Sequence, residues 1–139
     1  MSDYPDYSGV KVNVYLVPDW AAREGIDKNL SADDNNVATG GTLTLSYAVA
    51  AGKELTVYAL GSTIVATLAA DRDKAQHFRT RIEKGAAVLA NHGGDGGAYV
   101  NLTKPIVYAA GETLVVILTN YANHNCNLDV CVQAVERTV

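Results

Sequence analysis

Along most of this sequence apolar and polar side chains alternate with a period of two. On a helix that pattern would scatter the apolar groups around the whole circumference, whereas on a strand it gathers them on one face. Val10-Lys11-Val12-Asn13-Val14-Tyr15-Leu16 alternates in this way and then meets Pro18, which stops a strand. Thr42 to Val49 places Leu43, Leu45, Tyr47 and Val49 on one face. Comparable runs follow at Leu55 to Leu60, Thr63 to Leu68, Ala87 to Ala90, Ala98 to Leu102, Pro105 to Tyr108, Thr113 to Asn120 and Leu128 to Val135. Gly, Asn, Asp and Pro clusters separate them, as short strands joined by turns require. The sequence therefore predicts an all-β domain of about eight strands.

A repeated phrase refines this expectation. Val49-Ala50-Ala51-Gly52-Lys53-Glu54-Leu55-Thr56-Val57 is echoed by Tyr108-Ala109-Ala110-Gly111-Glu112-Thr113-Leu114-Val115-Val116. Each copy sets an Ala-Ala-Gly turn between two β-rich runs, and glycine supplies the positive φ of a tight reversal. A shared solution to the same turn is favoured over an internal duplication. Either way the two turns punctuate comparable strand pairs in the two halves, as expected of two packed antiparallel sheets with Greek-key crossovers. The length of 139 residues suits one domain, read as an arm over 1–9 and a single β-sandwich over 10–139. With one Phe, one Trp and one Met, the core is expected to be Val, Leu, Ala and Ile, with Tyr at its edges.

Two segments break the pattern. Asp19 to Gly41 is polar and irregular, with a short helical turn expected at Trp20 to Glu24 behind an Asp19 cap. Asp71 to Ala75 reads as a loop, followed by a strand from Gln76 that carries Phe78, Thr80 and Ile82 on one side.

The candidate sites are sparse. A net charge of −4 argues against phosphate-driven nucleic-acid binding. No apolar stretch approaches the ~20 residues of a bilayer span, and Met1 to Gly9 has neither the basic start nor the apolar run of a secretory signal. Cys126 and Cys131 fall on opposite faces of a regular strand and read as two small buried or half-buried thiols. His92-Gly93-Gly94-Asp95-Gly96-Gly97 lacks the lysine and helix of a phosphate loop and reads as a long mobile loop. Asp33, Asp34, Asp71, Asp73 and Asp95 lie in expected loops without the ligand spacing of a calcium loop. His77, His92 and His124 stand alone, and no serine sits in a nucleophile elbow. The sequence thus gives no catalytic residue, metal or cofactor. Asn29-Leu30-Ser31 and Asn101-Leu102-Thr103 match the glycosylation sequon, which arises by chance in an Asn-rich chain. Arg72, Lys74, Arg79, Arg81 and Lys84, interleaved with Asp71, Asp73 and Glu83, read as a solvated face. Tyr4 and Tyr7, in the polar segment ahead of the first strand, and Trp20 are the expected partner contacts, since exposed aromatics are favoured at interfaces.

The phrases Ala-Ala-Gly-Lys-Glu-Leu-Thr-Val and Pro105-Ile106-Val107-Tyr108-Ala109-Ala110-Gly111-Glu112-Thr113-Leu114, behind a polar arm, resemble jelly-roll virion proteins of tailed bacteriophages. These are the capsid decoration (cement) proteins and head fibres. The resemblance covers roughly residues 42 to 135. It implies a jelly-roll (Greek-key) β-sandwich without enzymatic activity, located in the virion, that binds the major capsid protein of a phage shell as a homo-oligomer, a trimer being favoured. A carbohydrate- or receptor-binding module is the rival reading, because other jelly rolls share the same turns.

Overall fold

The computed structural model describes residues 25–139. The strand expected at Val10 to Leu16, the arm over 1–9, the helical turn at Trp20, and the proposed contacts Tyr4, Tyr7 and Trp20 lie outside the described residues. Within them the chain forms β1 (Ile26–Asp27), β2 (Leu30–Val37), β3 (Thr42–Ala48), β4 (Lys53–Ala66), β5 (His77–Lys84), β6 (Ala87–Asp95), β7 (Gly97–Tyr108), β8 (Thr113–Asn120) and β9 (Cys126–Thr138). One turn of 3-10 helix, Ala69–Asp71, stands between β4 and β5.

The pairing has a simple logic. β2 pairs with β9, β3 with β8, β4 with β7 and β5 with β6, all antiparallel. Those pairs are the rungs of one long two-stranded ribbon whose tip is the β5–β6 turn. Rolling the ribbon on itself adds the pairs β4–β9 and β5–β8. The product is one sheet with strand order β2-β9-β4-β7, β1 extending the β2 edge, and a second ordered β3-β8-β5-β6. This is a jelly-roll sandwich, as the sequence led us to expect.

The ribbon remains hydrogen-bonded around its corners. At the first corner Gly40 N donates to Asn120 O at 2.7 Å and Asn120 N to Gly41 O at 3.0 Å. At the second, Val49 N donates to Glu112 O at 3.0 Å and Gly111 N to Val49 O at 2.9 Å. The two Ala-Ala-Gly turns are therefore neighbours, opposite sides of one corner, with Gly52 at φ 77° and Gly111 at φ 86°. At the third, Gly96 N donates to Gln76 O at 3.0 Å and Ile64 N to Gly96 O at 3.1 Å.

Inward-facing residues of both sheets make one core: Leu43, Leu45, Phe78, Ile82, Leu114, Val116 and Leu118 from one, Leu55, Val57, Leu60, Ile64, Leu128, Val130 and Val132 from the other. Removing that apolar surface from water is the main force holding the layers together. The core also encloses Ser62 and Thr80, whose hydroxyls meet across the sandwich at 2.8 Å. Among the described residues each hydroxyl's one partner is the other, so their effects should be strongly non-additive. Ser62→Ala and Thr80→Val singly are each expected to lose about 1–3 kcal/mol, and the double variant less than the sum of the two. Urea unfolding of the four proteins in the cycle measures this.

Several expectations need correction. The polar stretch within Asp19 to Gly41 contains β2, an edge strand that turns Leu30 and Ala32 towards the core and Ser31 and Asp33 outwards. Two expected runs around Gly61-Ser62 are one continuous strand, β4, irregular instead at Tyr58. Ala98 to Leu102 and Pro105 to Tyr108 likewise merge into β7. Tyr108 is not at an edge but wholly buried, its hydroxyl donating to Glu83 O at 2.9 Å. The Gly-rich stretch is no long loop: β6 runs to Asp95 and β7 starts at Gly97, so the chain changes sheets through Gly96.

Those glycines are required by close approach. A Cβ on Gly93 would stand 2.7 Å from Phe78 O, and one on Gly97, at φ 151°, would stand 2.8 Å from Ser62 O. Side chains there would push two paired backbones apart.

Candidate functional site

Among the described residues no three His, Cys, Asp or Glu side chains converge as metal ligands would, and no helix is long and apolar enough to cross a membrane. Asp71 pairs with Lys74 at 2.7 Å, whose ammonium draws its carboxyl below the ordinary range. Asp95 accepts from Gln76 N at 2.7 Å and so pins the third corner. Asp33 and Asp129 face each other across the β2–β9 pair. Burial holds His92 below the usual imidazole range, beside the edge of Phe78. Both cysteines are free thiols on opposite faces of β9, as expected; Cys126 is buried, which pushes its thiol up, whereas Cys131 is exposed on the outer face rather than buried or half-buried. Asn29 and Asn101 are both exposed. In the charged stretch Arg81 pairs with Glu83 at 2.7 Å, and Lys84 with Glu112 at 3.3 Å. The titratable groups singled out in the sequence are thus dispersed, most beside a local partner or solvent, while His92 Nε2 and His124 Nε2 are buried without a hydrogen-bond partner among the described residues.

A first surface among the described residues is the outer face of the β2-β9-β4-β7 sheet. Gly61 lies opposite Tyr99 on β7 and opposite Cys131 on β9. Tyr99 donates its hydroxyl to Gln133 on β9 at 2.8 Å. Neighbouring strands are about 4.8 Å apart, so a side chain rooted on β7 reaches β9 only by lying along the sheet across β4. Gly61 leaves the space for this, since a Cβ there would stand 3.4 Å from the Tyr99 ring and 2.8 Å from Cys131 Sγ. The Tyr99 side chain thus passes over the glycine and remains 55% exposed. An open hollow of about 450 Å³ adjoins it, lined among others by Ser31, Thr63, Asp129 and Cys131. Tyr58 lies beyond Gln133, in a smaller hollow with Asn29. Sequence reasoning overlooked this arrangement. Tyr99 and Gly61 are far apart in the chain, and only the β4–β7 register brings them together.

The second surface is the seam between the edge strands β6 and β7. On the opposite flank the two sheets are stitched by Tyr47, whose hydroxyl donates to Glu136 at 2.6 Å, with Lys28 over its ring at 5.2 Å. That carboxylate raises the Tyr47 pKa. On the β6–β7 flank the strands diverge after Gly96, and among the described residues each pairs only within its own sheet. A hollow of about 540 Å³ opens there between Leu89 and Ala90 on one side and Leu102, Ile106 and Val107 on the other. Leu89 sits at a register irregularity of β6, and Val88, Leu89 and Val107 are exposed at 51%, 42% and 44%. Lys84 bridges the seam, donating to Val107 O at 2.7 Å.

No protein-family model matches this chain, and no curated protein resembles it in sequence. Among solved structures it is similar to the CBM36-1 domain of a multidomain xylanase from the hindgut metagenome of Trinervitermes trinervoides, at 9% identity over 79% of this chain and 96% of that one, with a TM-score of 0.45. It is also similar to turnip yellow mosaic virus, at 11% identity over 83% of this chain and 94% of that one, TM-score 0.36. The insecticidal delta-endotoxin Cry8Ea1 of Bacillus thuringiensis matches at 11% identity and a TM-score of 0.36, over 83% of this chain and 19% of the toxin. At these distances none bears on function; the jelly roll rests on the strand pairing above.

Proposed function

We propose that this chain is a non-enzymatic virion structural protein, a decoration or cement protein that binds and stabilises an assembled phage capsid. The observation that carries the reading is the open seam between β6 and β7. Edge strands that expose Val88, Leu89 and Val107 invite pairing and burial against another chain. The occupant is a second copy of this protein, arranged as a closed homotrimer in which each seam receives its neighbour. Closed symmetry satisfies every seam and presents identical faces to the shell, so that weak contacts to the major capsid protein add up. Tyr4, Tyr7 and Trp20, from the amino-terminal segment, are the proposed contacts to the shell. No nucleic acid, membrane or cofactor takes part in this mechanism, and the protein is made in the host cytoplasm before joining the virion.

Co-sedimentation of the purified protein with phage shells stripped of their surface proteins tests the proposal. Saturable binding that raises the temperature of shell disruption is the expected outcome, and removal of Met1 to Tyr7 is expected to weaken it. A protein that leaves every shell unbound contradicts the reading.

A further inference from the structure

Independently of that reading, we propose that the outer face of β4, β7 and β9 binds a neutral sugar, one ring of which stacks on Tyr99. The geometry is that of a platform. The Tyr99 side chain lies along the sheet, seated on Gly61 and tethered at its tip by Gln133, so its free face is fixed before any ligand arrives. A preorganised aromatic plane offers the apolar C–H face of a sugar ring a large contact with little ordering cost. The hollow beside it falls within the range of about 300–1,000 Å³ typical of small-ligand sites.

The polar rim selects the ligand's chemistry. Ser31 and Thr63 bring hydroxyls, Asp129 brings a carboxylate, and among the described residues no Lys or Arg lines the hollow. Such a rim repels anions and has no cation-holding cluster, but it accepts hydrogen bonds from vicinal hydroxyls. Asp33 directly opposite Asp129 is unfavourable for the sheet itself. Hydroxyl donors arriving from a ligand relieve that crowding. A neutral polyhydroxylated ring satisfies both the aromatic face and the acceptor rim, and a phosphorylated or uronic ligand satisfies only the first.

A printed array of neutral oligosaccharides (maltohexaose, cellohexaose and mannohexaose among them) beside acidic glycans provides the test, followed by calorimetric titration with the strongest binder. The inference expects capture of at least one neutral glycan. Tyr99→Ala should weaken it by at least about tenfold, the loss of one good contact. Tyr99→Phe, which keeps the ring over Gly61, should stay within about fivefold of the parent. Thermal melting of each variant separates lost binding from lost fold. Absence of any neutral-glycan signal, capture of acidic glycans alone, or binding unmoved in a folded Tyr99→Ala protein would each overturn the proposal. So would a change of oligomeric mass in Tyr99→Ala without sugar binding, which would make this face an interface between copies.

Discussion

Asn120→Asp is expected to destabilise the protein by about 3–5 kcal/mol at neutral pH, although it exchanges one nitrogen for one oxygen. Asn120 is wholly buried at the first corner of the rolled ribbon. Its side-chain nitrogen donates to Val37 O at 2.9 Å and to His124 O at 3.1 Å, while its oxygen accepts from Ala122 N at 2.8 Å. One side chain thus binds three backbone groups from both sides of the corner. An aspartate keeps the acceptor but turns a charged oxygen towards two carbonyl oxygens. Only the protonated acid can still donate there, so the folded state raises the pKa of that carboxyl. The sign follows from linkage. Relative to the parent, the variant's deficit is smallest below the unfolded carboxyl pKa, about 3.9, and grows as pH rises through the raised folded value. Urea unfolding of both proteins across that range measures it. A deficit that is independent of pH would mean that the corner does not depend on this donor.

Gly97→Val is expected to cost about 2–4 kcal/mol, combining backbone strain with a backbone clash. Gly97 takes a φ of 151°, and the added Cβ would lie 2.8 Å from Ser62 O in the paired strand. The clash falls where the chain passes from β6 in one sheet to β7 in the other, so relief would require the β4–β7 pair to open at Thr63. Gly85, in the β5–β6 turn, provides the contrast. It has φ 59° with open space around its Cβ position, and Gly85→Asn is expected to cost less than about 1 kcal/mol because Asn tolerates that conformation. Equal losses at the two sites would show that the sheet-to-sheet step is looser than described.

The sequence made some of this visible and hid the rest for physical reasons. β3, β5, β8 and β9 could be read because each turns one face wholly into the core, giving the clean alternation of Leu43 and Leu45 or Leu114, Val116 and Leu118. β2 escaped notice because an edge strand needs few apolar residues, and Asp33, Asp34, Asn35 and Asn36 looked like a loop. Gly61-Ser62 seemed to end a strand. It does not, because the serine finds Thr80 across the core and the glycine lies beneath Tyr99. The Gly-rich stretch looked mobile because composition cannot distinguish glycines that loosen a chain from those that let two backbones approach. The Tyr99 platform joins residues distant in the chain through strand register, which periodicity alone does not fix. The expected contacts Tyr4, Tyr7 and Trp20 lie outside the described residues, and the seam at Leu89 emerged only once β6 and β7 were placed in different sheets.

The proposed trimer is tested most directly by light scattering from the purified protein and from a Leu89→Lys variant. Leu89 is exposed, so the substitution should leave the fold intact while placing a charge in the seam. The parent is predicted to scatter as a particle of about three times the chain mass of 14.7 kDa, and the variant as a folded monomer. A parent that remains monomeric at high concentration, or a variant whose mass equals the parent's, would contradict the assignment of the β6–β7 seam.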